Sequence, residues 1–268
     1  MSLSKLLRKF LYEPKINDLD VDAQDILTAH RNLLKSKPML CDAFRYFYKK
    51  MTTLCDQYLN VDGREIELGS GAGFMKDVRP ALETSDIRKL DSIDLIIDAQ
   101  NMNLFDNSVR CIYAINVFHH LVEPEKFFDE LKRVLVPGGG CILIEPHGGP
   151  ASTALHKRLH KDEFFDTSMQ RDWVNKEIRG PLSGANQALS HIVFERDIIR
   201  FQRDHGDALE LMHREYCTNA LRYFFSGGLN FRQLIPTVAS SVLRAIENIA
   251  TPAAHYWSFH QILVIRRR

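Results

Sequence analysis

Apolar positions change rhythm twice along this chain. Up to Asp62 they recur at helical spacing: Leu3, Leu6, Leu7 and Phe10, then Ile26, Leu27, Leu33 and Leu34, then Phe44, Phe47, Tyr48 and Met51. A face that repeats every three to four residues predicts amphipathic helices, and Pro14 and Pro38 cut the stretch into short ones. Between residues 63 and 146 the pattern becomes short apolar runs closed by Gly, Asp or Pro, predicting strands at 64–68, 81–85, 93–97, 111–115 and 141–144. A helix is predicted at 124–135, stopped by Pro137-Gly138-Gly139-Gly140, which turn the chain into the next strand. Strands alternating with helices read as a parallel sheet buried on both faces. Beyond His147 the texture is mixed. Residues 147–207 are rich in His, Arg, Asp and aromatics without a strong period; 209–216 and 258–265 read as strands, and 231–249 as a helix broken near Pro236.

The informative stretch is Glu65-Ile66-Glu67-Leu68-Gly69-Ser70-Gly71-Ala72-Gly73-Phe74. A strand runs into three glycines at alternate positions and then into the start of a helix. Glycine lets the backbone approach a ligand and take positive φ without a side-chain clash, although a tight turn alone uses glycines in the same way. A dinucleotide-binding loop needs a small third residue to pack helix on sheet, and Phe74 occupies that position. A carboxylate at the end of a buried strand is costly unless paired, so Glu67 is expected to have a partner.

From Glu67 to Gly73 the chain resembles the first motif of the class I S-adenosylmethionine-dependent methyltransferases, an apolar strand followed by E/D-x-G-x-G-x-G. The resemblance continues in order through about a third of the chain. Leu82–Ile87 looks like a second strand whose acid, Asp86, accepts both ribose hydroxyls; a carboxylate offers two acceptors and no donor to a cis-diol. Asp98-Ala99-Gln100-Asn101 resembles the motif at the adenine amino group, and Leu104-Phe105-Asp106-Asn107-Ser108 a segment usual in the family. Asn116, His119 and His120 stand at the end of the fourth strand, and residues 131–146 match the helix, turn and fifth strand of the type 11 subgroup. The resemblance implies a Rossmann-like α/β fold: a mostly parallel seven-stranded sheet with helices on both faces, N-terminal helices and an insert after strand 5. It also implies S-adenosyl-L-methionine as cofactor, held by Glu67, Gly69, Ser70, Gly71, Gly73, Asp86, Asp98, Ala99, Asn116 and His119. One departure concerns topology. Only residues 88–92 separate the predicted strands 2 and 3, whereas a parallel crossover usually takes about a dozen residues. Either a tight link replaces the helix or strand 3 lies elsewhere, which bears on Asp98.

Methyl transfer from a sulfonium needs donor and nucleophile held in line and water excluded. A hydroxyl acceptor also needs a general base, for which His147, His120 and His160 are the candidates. The insert adds His156, Glu163, Asn186, His191 and Glu195. Phe164, Phe165, Trp173 and Phe194 either floor an acceptor pocket or pack as core, and Lys37, Tyr46 and Tyr48 are possible contacts from the N-terminal side. The expected organisation is an N-terminal helical cap (1–62), a cofactor-binding half (63–146), a lid that shapes the acceptor site (147–207) and a C-terminal part completing the sheet (208–268).

Composition narrows the alternatives. With 35 basic and 34 acidic residues the chain has no global field for gripping nucleic acid, and no N/D-P-P-Y/F motif follows strand 4. Five scattered cysteines with no CxxC and no His pair at ligand spacing predict neither a disulfide framework nor a metal site, and they suit a cytoplasmic setting. No run is long and apolar enough to span a bilayer. Residues 3–11 form a basic amphipathic stretch, which either docks on the protein itself or lies on a membrane. The expected activity is methylation of a small-molecule or glycan-type acceptor, with oxygen favoured. The rival readings are a catalytically silent scaffold of the same fold and a nicotinamide-dependent oxidoreductase.

Overall fold

In a computed structural model, which describes residues 11–16, 19–159, 163–170 and 172–268, one sheet organises the chain. Two helices come first, α1 (Asp25–Ser36) and α2 (Pro38–Tyr58). Proline at the first position of α2 suits a helix start, where its missing N–H has no partner to lose. The strands are β1 (Arg64–Leu68), β2 (Glu83–Asp86), β3 (Leu95–Ile96), β4 (Val109–Ile115), β5 (Leu135–Pro146), β6 (Leu209–Tyr216) and β7 (His260–Arg267). Between them lie α3 (Pro124–Val134), α4 (Pro150–Leu159), α5 (Ile198–His205) and α6 (Ser240–Ala250), with shorter helical turns. The strand order is β3-β2-β1-β4-β5-β7-β6. Pairing is parallel from β3 through β5, and β7 runs antiparallel to both its neighbours. This is the expected seven-stranded, mostly parallel α/β sheet.

Alternation along the central strands fills two cores, since successive side chains point to opposite faces. Cys111, Tyr113, Ile142, Ile144, Ile262 and Val264 pack under Phe47, Tyr48, Met51, Leu54 and Cys55 of α2. On the other face Ile112, Ala114, Leu143, Leu263 and Ile265 meet Phe127, Phe128, Leu131 and Val134 of α3. Phe165, Trp173, Leu189, Ile192, Phe194 and Phe201 belong to that same core. Part of the segment expected as a lid is therefore sheet-covering core, and of the four aromatics named from the sequence, Phe165, Trp173 and Phe194 are buried in it.

Two local expectations change, and one open alternative is resolved. The glycine loop opens into a 3₁₀ turn, Met75–Asp77, and no α-helix lies between β1 and β2; Pro80 and the short path to Glu83 leave no room for one. The β2–β3 connection is the tight link: residues 87–94 contain no helix, and β3 pairs parallel with β2. Asp94 locks this link, accepting bonds from Thr84 N at 2.7 Å and Thr84 Oγ1 at 2.9 Å while its own N donates to Thr84 O. The Pro-Gly-Gly-Gly run does not precede β5 but lies within it, where Gly140 pairs with Cys111 and Arg266. A Cβ at Gly140 would sit 2.4 Å from the Ile265 carbonyl, so the glycine permits the close strand approach. Among the described residues no helix is long and apolar enough to cross a membrane. The amphipathic stretch 3–11 lies, except for Leu11, outside the described residues.

Candidate active site

At the carboxyl ends of β1, β2 and β4, where ligands bind in open α/β sheets, a cavity of about 660 Å³ opens. Its size suits a nucleoside-sized ligand with room for a second molecule. All ten residues expected to hold the cofactor line it: Glu67, Gly69, Ser70, Gly71, Gly73, Asp86, Asp98, Ala99, Asn116 and His119.

The loop after β1 is built for close approach. Gly69 and Gly71 have φ of +63° and +47°, the left-handed region that favours glycine. A Cβ at Gly71 would make only ordinary contacts, the nearest at 3.6 Å, so the positive φ and not crowding selects glycine there. Gly71 N donates to Asp86 Oδ2 at 3.2 Å, and Ser70 N donates to Ser85 O at 2.8 Å, tying the loop to β2. Tyr48 from α2 buttresses it from behind: its hydroxyl accepts from Phe74 N at 3.2 Å, and its ring meets that of Phe74 edge-on at 5.1 Å. Of the N-terminal side chains considered, Tyr48 is therefore at the loop. Tyr46 is tied to Thr218, and the Lys37 ammonium bonds the Gly228 and Phe231 carbonyls.

Glu67 is 3% exposed, and its Oε2 has no hydrogen-bond partner among the described residues. Burial pushes its pKa up to about 7. A raised carboxyl pKa means that the folded protein binds more protons than the unfolded chain between about pH 4.5 and 7. The associated stability is complete below about pH 4.5, falls as pH rises and is lost by about pH 7. A ligand ammonium at Glu67 favours the carboxylate, so binding is expected to release a proton in this window. Calorimetric titration of S-adenosylhomocysteine at pH 6, in two buffers of different ionisation enthalpy, checks this. Release of a substantial fraction of a proton that disappears in Glu67→Gln is the expected result.

Past the loop, Asn116 (φ +55°) turns the chain out of β4, and a 3₁₀ turn presents His119 and His120 to the cavity. Fully buried Glu145 anchors this turn from β5. Its Oε1 accepts from Val117 N at 2.8 Å and Phe118 N at 2.7 Å, and its Oε2 lies 2.5 Å from His119 Nδ1. Burial opposes a charged His119, but the Glu145 carboxylate outweighs it and holds the pKa above the ordinary value. From the insert, Glu163 brings Oε2 to 3.7 Å from His119 Nε2 and Oε1 to 3.8 Å from His120 Nε2. Gln187 Nε2 donates to Glu163 Oε2.

The other candidate bases fare differently. His147 does not line the cavity: Gly149 N donates to its Nδ1 at 3.0 Å, and its Nε2 faces the Ser258 carbonyl at 2.9 Å. Burial lowers its pKa to about 4, and with both nitrogens bonded to backbone it is a packed neutral histidine rather than a base. His160 lies outside the described residues. Asn186, His191 and Glu195 do not line the cavity, whereas His156 does. The sequence reading missed His30, a buried residue on the apolar face of α1 that lines the cavity, and Gln187 and Arg179 from the insert.

A glycine loop after β1, an acid at the penultimate position of β1, an acid ending β2 and an antiparallel seventh strand belong to one α/β sheet with a cavity at its strand ends. The family model described as Methyltransferase domain matches residues 66–143. That segment is therefore similar to a methyltransferase domain, within the α/β sheet described above. No curated protein matches the chain. Among solved structures, the geranyl diphosphate C-methyltransferase of Streptomyces coelicolor A3(2) is similar at 12% identity over 82% of this chain and 79% of its own, with a TM-score of 0.44. The PH0226 protein of Pyrococcus horikoshii OT3 is similar at 13% identity over 84% of this chain and 90% of its own, with a TM-score of 0.45.

Proposed function

We propose that the chain methylates an oxygen of a small-molecule or glycan-type acceptor seated beside His119, His120 and Glu163. The observation that carries this reading is the continuity of the cavity: the same space lined by Glu67 and Asp86 also reaches His119, His120 and Glu163. The bound cofactor supplies a methyl group on a sulfonium. In this assignment Asp86 accepts the ribose hydroxyls, the unpartnered Glu67 oxygen takes the ammonium, and Asp98 with Ala99 borders the adenine. Asn116 and His119 lie along the methionine end. Of the candidate bases, His120 lines the cavity, and with Glu163 it is assigned to activating the acceptor hydroxyl. Holding two reactants in line and excluding water accounts for much of the rate in such a transfer.

The test is incubation with methyl-labelled S-adenosylmethionine and fractionated hydroxylated metabolites and glycans. A labelled product whose methyl carbon is bonded to oxygen, formed by wild type and not by Asp86→Ala, supports the reading. Label on carbon or nitrogen replaces the oxygen assignment. Binding of S-adenosylhomocysteine with no transfer to any fraction favours the scaffold reading.

A further inference from the structure

Glu145 fixes more than the position of His119. Its carboxylate can only accept, so in the neutral ring Nδ1 carries the hydrogen and Nε2 presents a lone pair. That lone pair points at an acidic side chain, Glu163, across 3.7 Å. The separation is too long for a hydrogen bond, and the gap takes either a proton on Nε2, which Glu145 favours, or a metal ion between the two groups. His120 Nε2 converges on the same carboxylate at 3.8 Å, and the ligand atoms of the three residues all lie within 4.8 Å of one another. Ion bonds of about 2.0–2.2 Å set neighbouring ligands roughly 3 Å apart, so a modest contraction closes the set.

We propose that His119 Nε2, His120 Nε2 and Glu163 bind a divalent first-row transition-metal ion at the acceptor end of the cavity. Two imidazoles and one carboxylate suit zinc, manganese or iron(II) rather than magnesium, which prefers all-oxygen surroundings. The outer shell is already built. Glu145 orients His119 through its distal nitrogen, as carboxylates do behind metal-bound imidazoles, and Gln187 holds Glu163. Three protein ligands leave coordination positions open toward the cavity, and an acceptor hydroxyl in one of them would have its pKa lowered. With the ion in place, activation of the hydroxyl passes from His120 as a free base to the ion that His120 and Glu163 hold, and the proton leaves to solvent water. The oxygen lone pair then forms the O–C bond as the C–S bond breaks, and the electrons of the C–S bond remain on sulfur. The site rests on the proposed transfer only for this role; its occupancy stands separately.

The experiment uses the full chain, stripped with chelator and titrated with Co²⁺ followed optically and with Zn²⁺ by equilibrium dialysis. S-adenosylhomocysteine binding is measured on the same samples. One ion per chain is expected in wild type. Glu163→Gln and His120→Gln are each expected to weaken binding about tenfold or more, and Glu145→Gln about 10–100-fold, as outer-shell losses do. Wild type that binds S-adenosylhomocysteine but holds no ion more tightly than Glu163→Gln overturns the site. Ion binding without methyl transfer supports the site while removing the function proposed above.

Discussion

Asp86→Ala is expected to lower affinity for S-adenosylhomocysteine by about 100-fold or more. Two charge-assisted hydrogen bonds to a ribose diol are each worth roughly 1.5–3 kcal/mol, and the carboxylate has a second task. Its Oδ2 accepts from Gly71 N and its Oδ1 from Arg88 N, so it also sets the shape of the loop that the ligand meets. Removing it leaves the Arg88 guanidinium, 3.3 Å away, without that counter-charge at the cavity wall. Calorimetric titration reads the loss directly. Affinity within threefold of wild type would remove the ribose from Asp86 and with it the orientation proposed for the cofactor. NADH serves as the control and is expected to bind neither protein.

Glu145→Ala is expected to destabilise the protein by about 3–5 kcal/mol. It strands two backbone N–H groups, Val117 and Phe118, at a cost of roughly 1–3 kcal/mol each, and it removes the partner of fully buried His119. Glu145→Gln separates folding from chemistry. Its amide oxygen still accepts from the two N–H groups, so the cost should stay near 1 kcal/mol. Its NH₂ then faces His119 Nδ1, which must accept, and the ring hydrogen moves to Nε2. Thermal melts of the two variants, with nitrogen-15 spectra of the His119 ring, check the pair. A Gln variant as unstable as the Ala variant would show that Glu145 acts through its charge on the turn and not through its acceptor geometry.

The side of the cavity built by β1, the glycine loop and β2 was legible because its residues are contiguous in sequence. The β1 strand, the three glycines and Asp86 sit within one short stretch, and each residue type there is selected by a local need: positive φ, close approach or a double acceptor. The side of the cavity around His119, His120 and Glu163 is assembled from distant pieces. Glu163 nears His119 and His120 only in the folded chain, more than forty residues away in sequence, so no spacing rule reveals the cluster. His147 misled because position after a buried strand does not settle which way a ring turns; Gly149 and Ser258 captured both its nitrogens. The insert hid its core residues for a different reason. A π-helical turn, Ile192–Arg196, interrupts the helix and shifts the apolar positions out of a 3.6-residue rhythm. The missing crossover helices were half-visible: too few residues separate β2 from β3 for a helix, yet only the Asp94–Thr84 lock explains how the strands still pair in parallel.

The place of β7 bears on how the protein is made. It pairs along its length with both β5 and β6. Every residue before His260 is synthesised first, and until 260–267 clear the ribosome β5 and β6 each display a long unpaired edge. Such edges recruit other chains, and at roughly 5–20 residues per second the exposure after β5 lasts many seconds. The sheet is completed only by the arrival of its seventh strand.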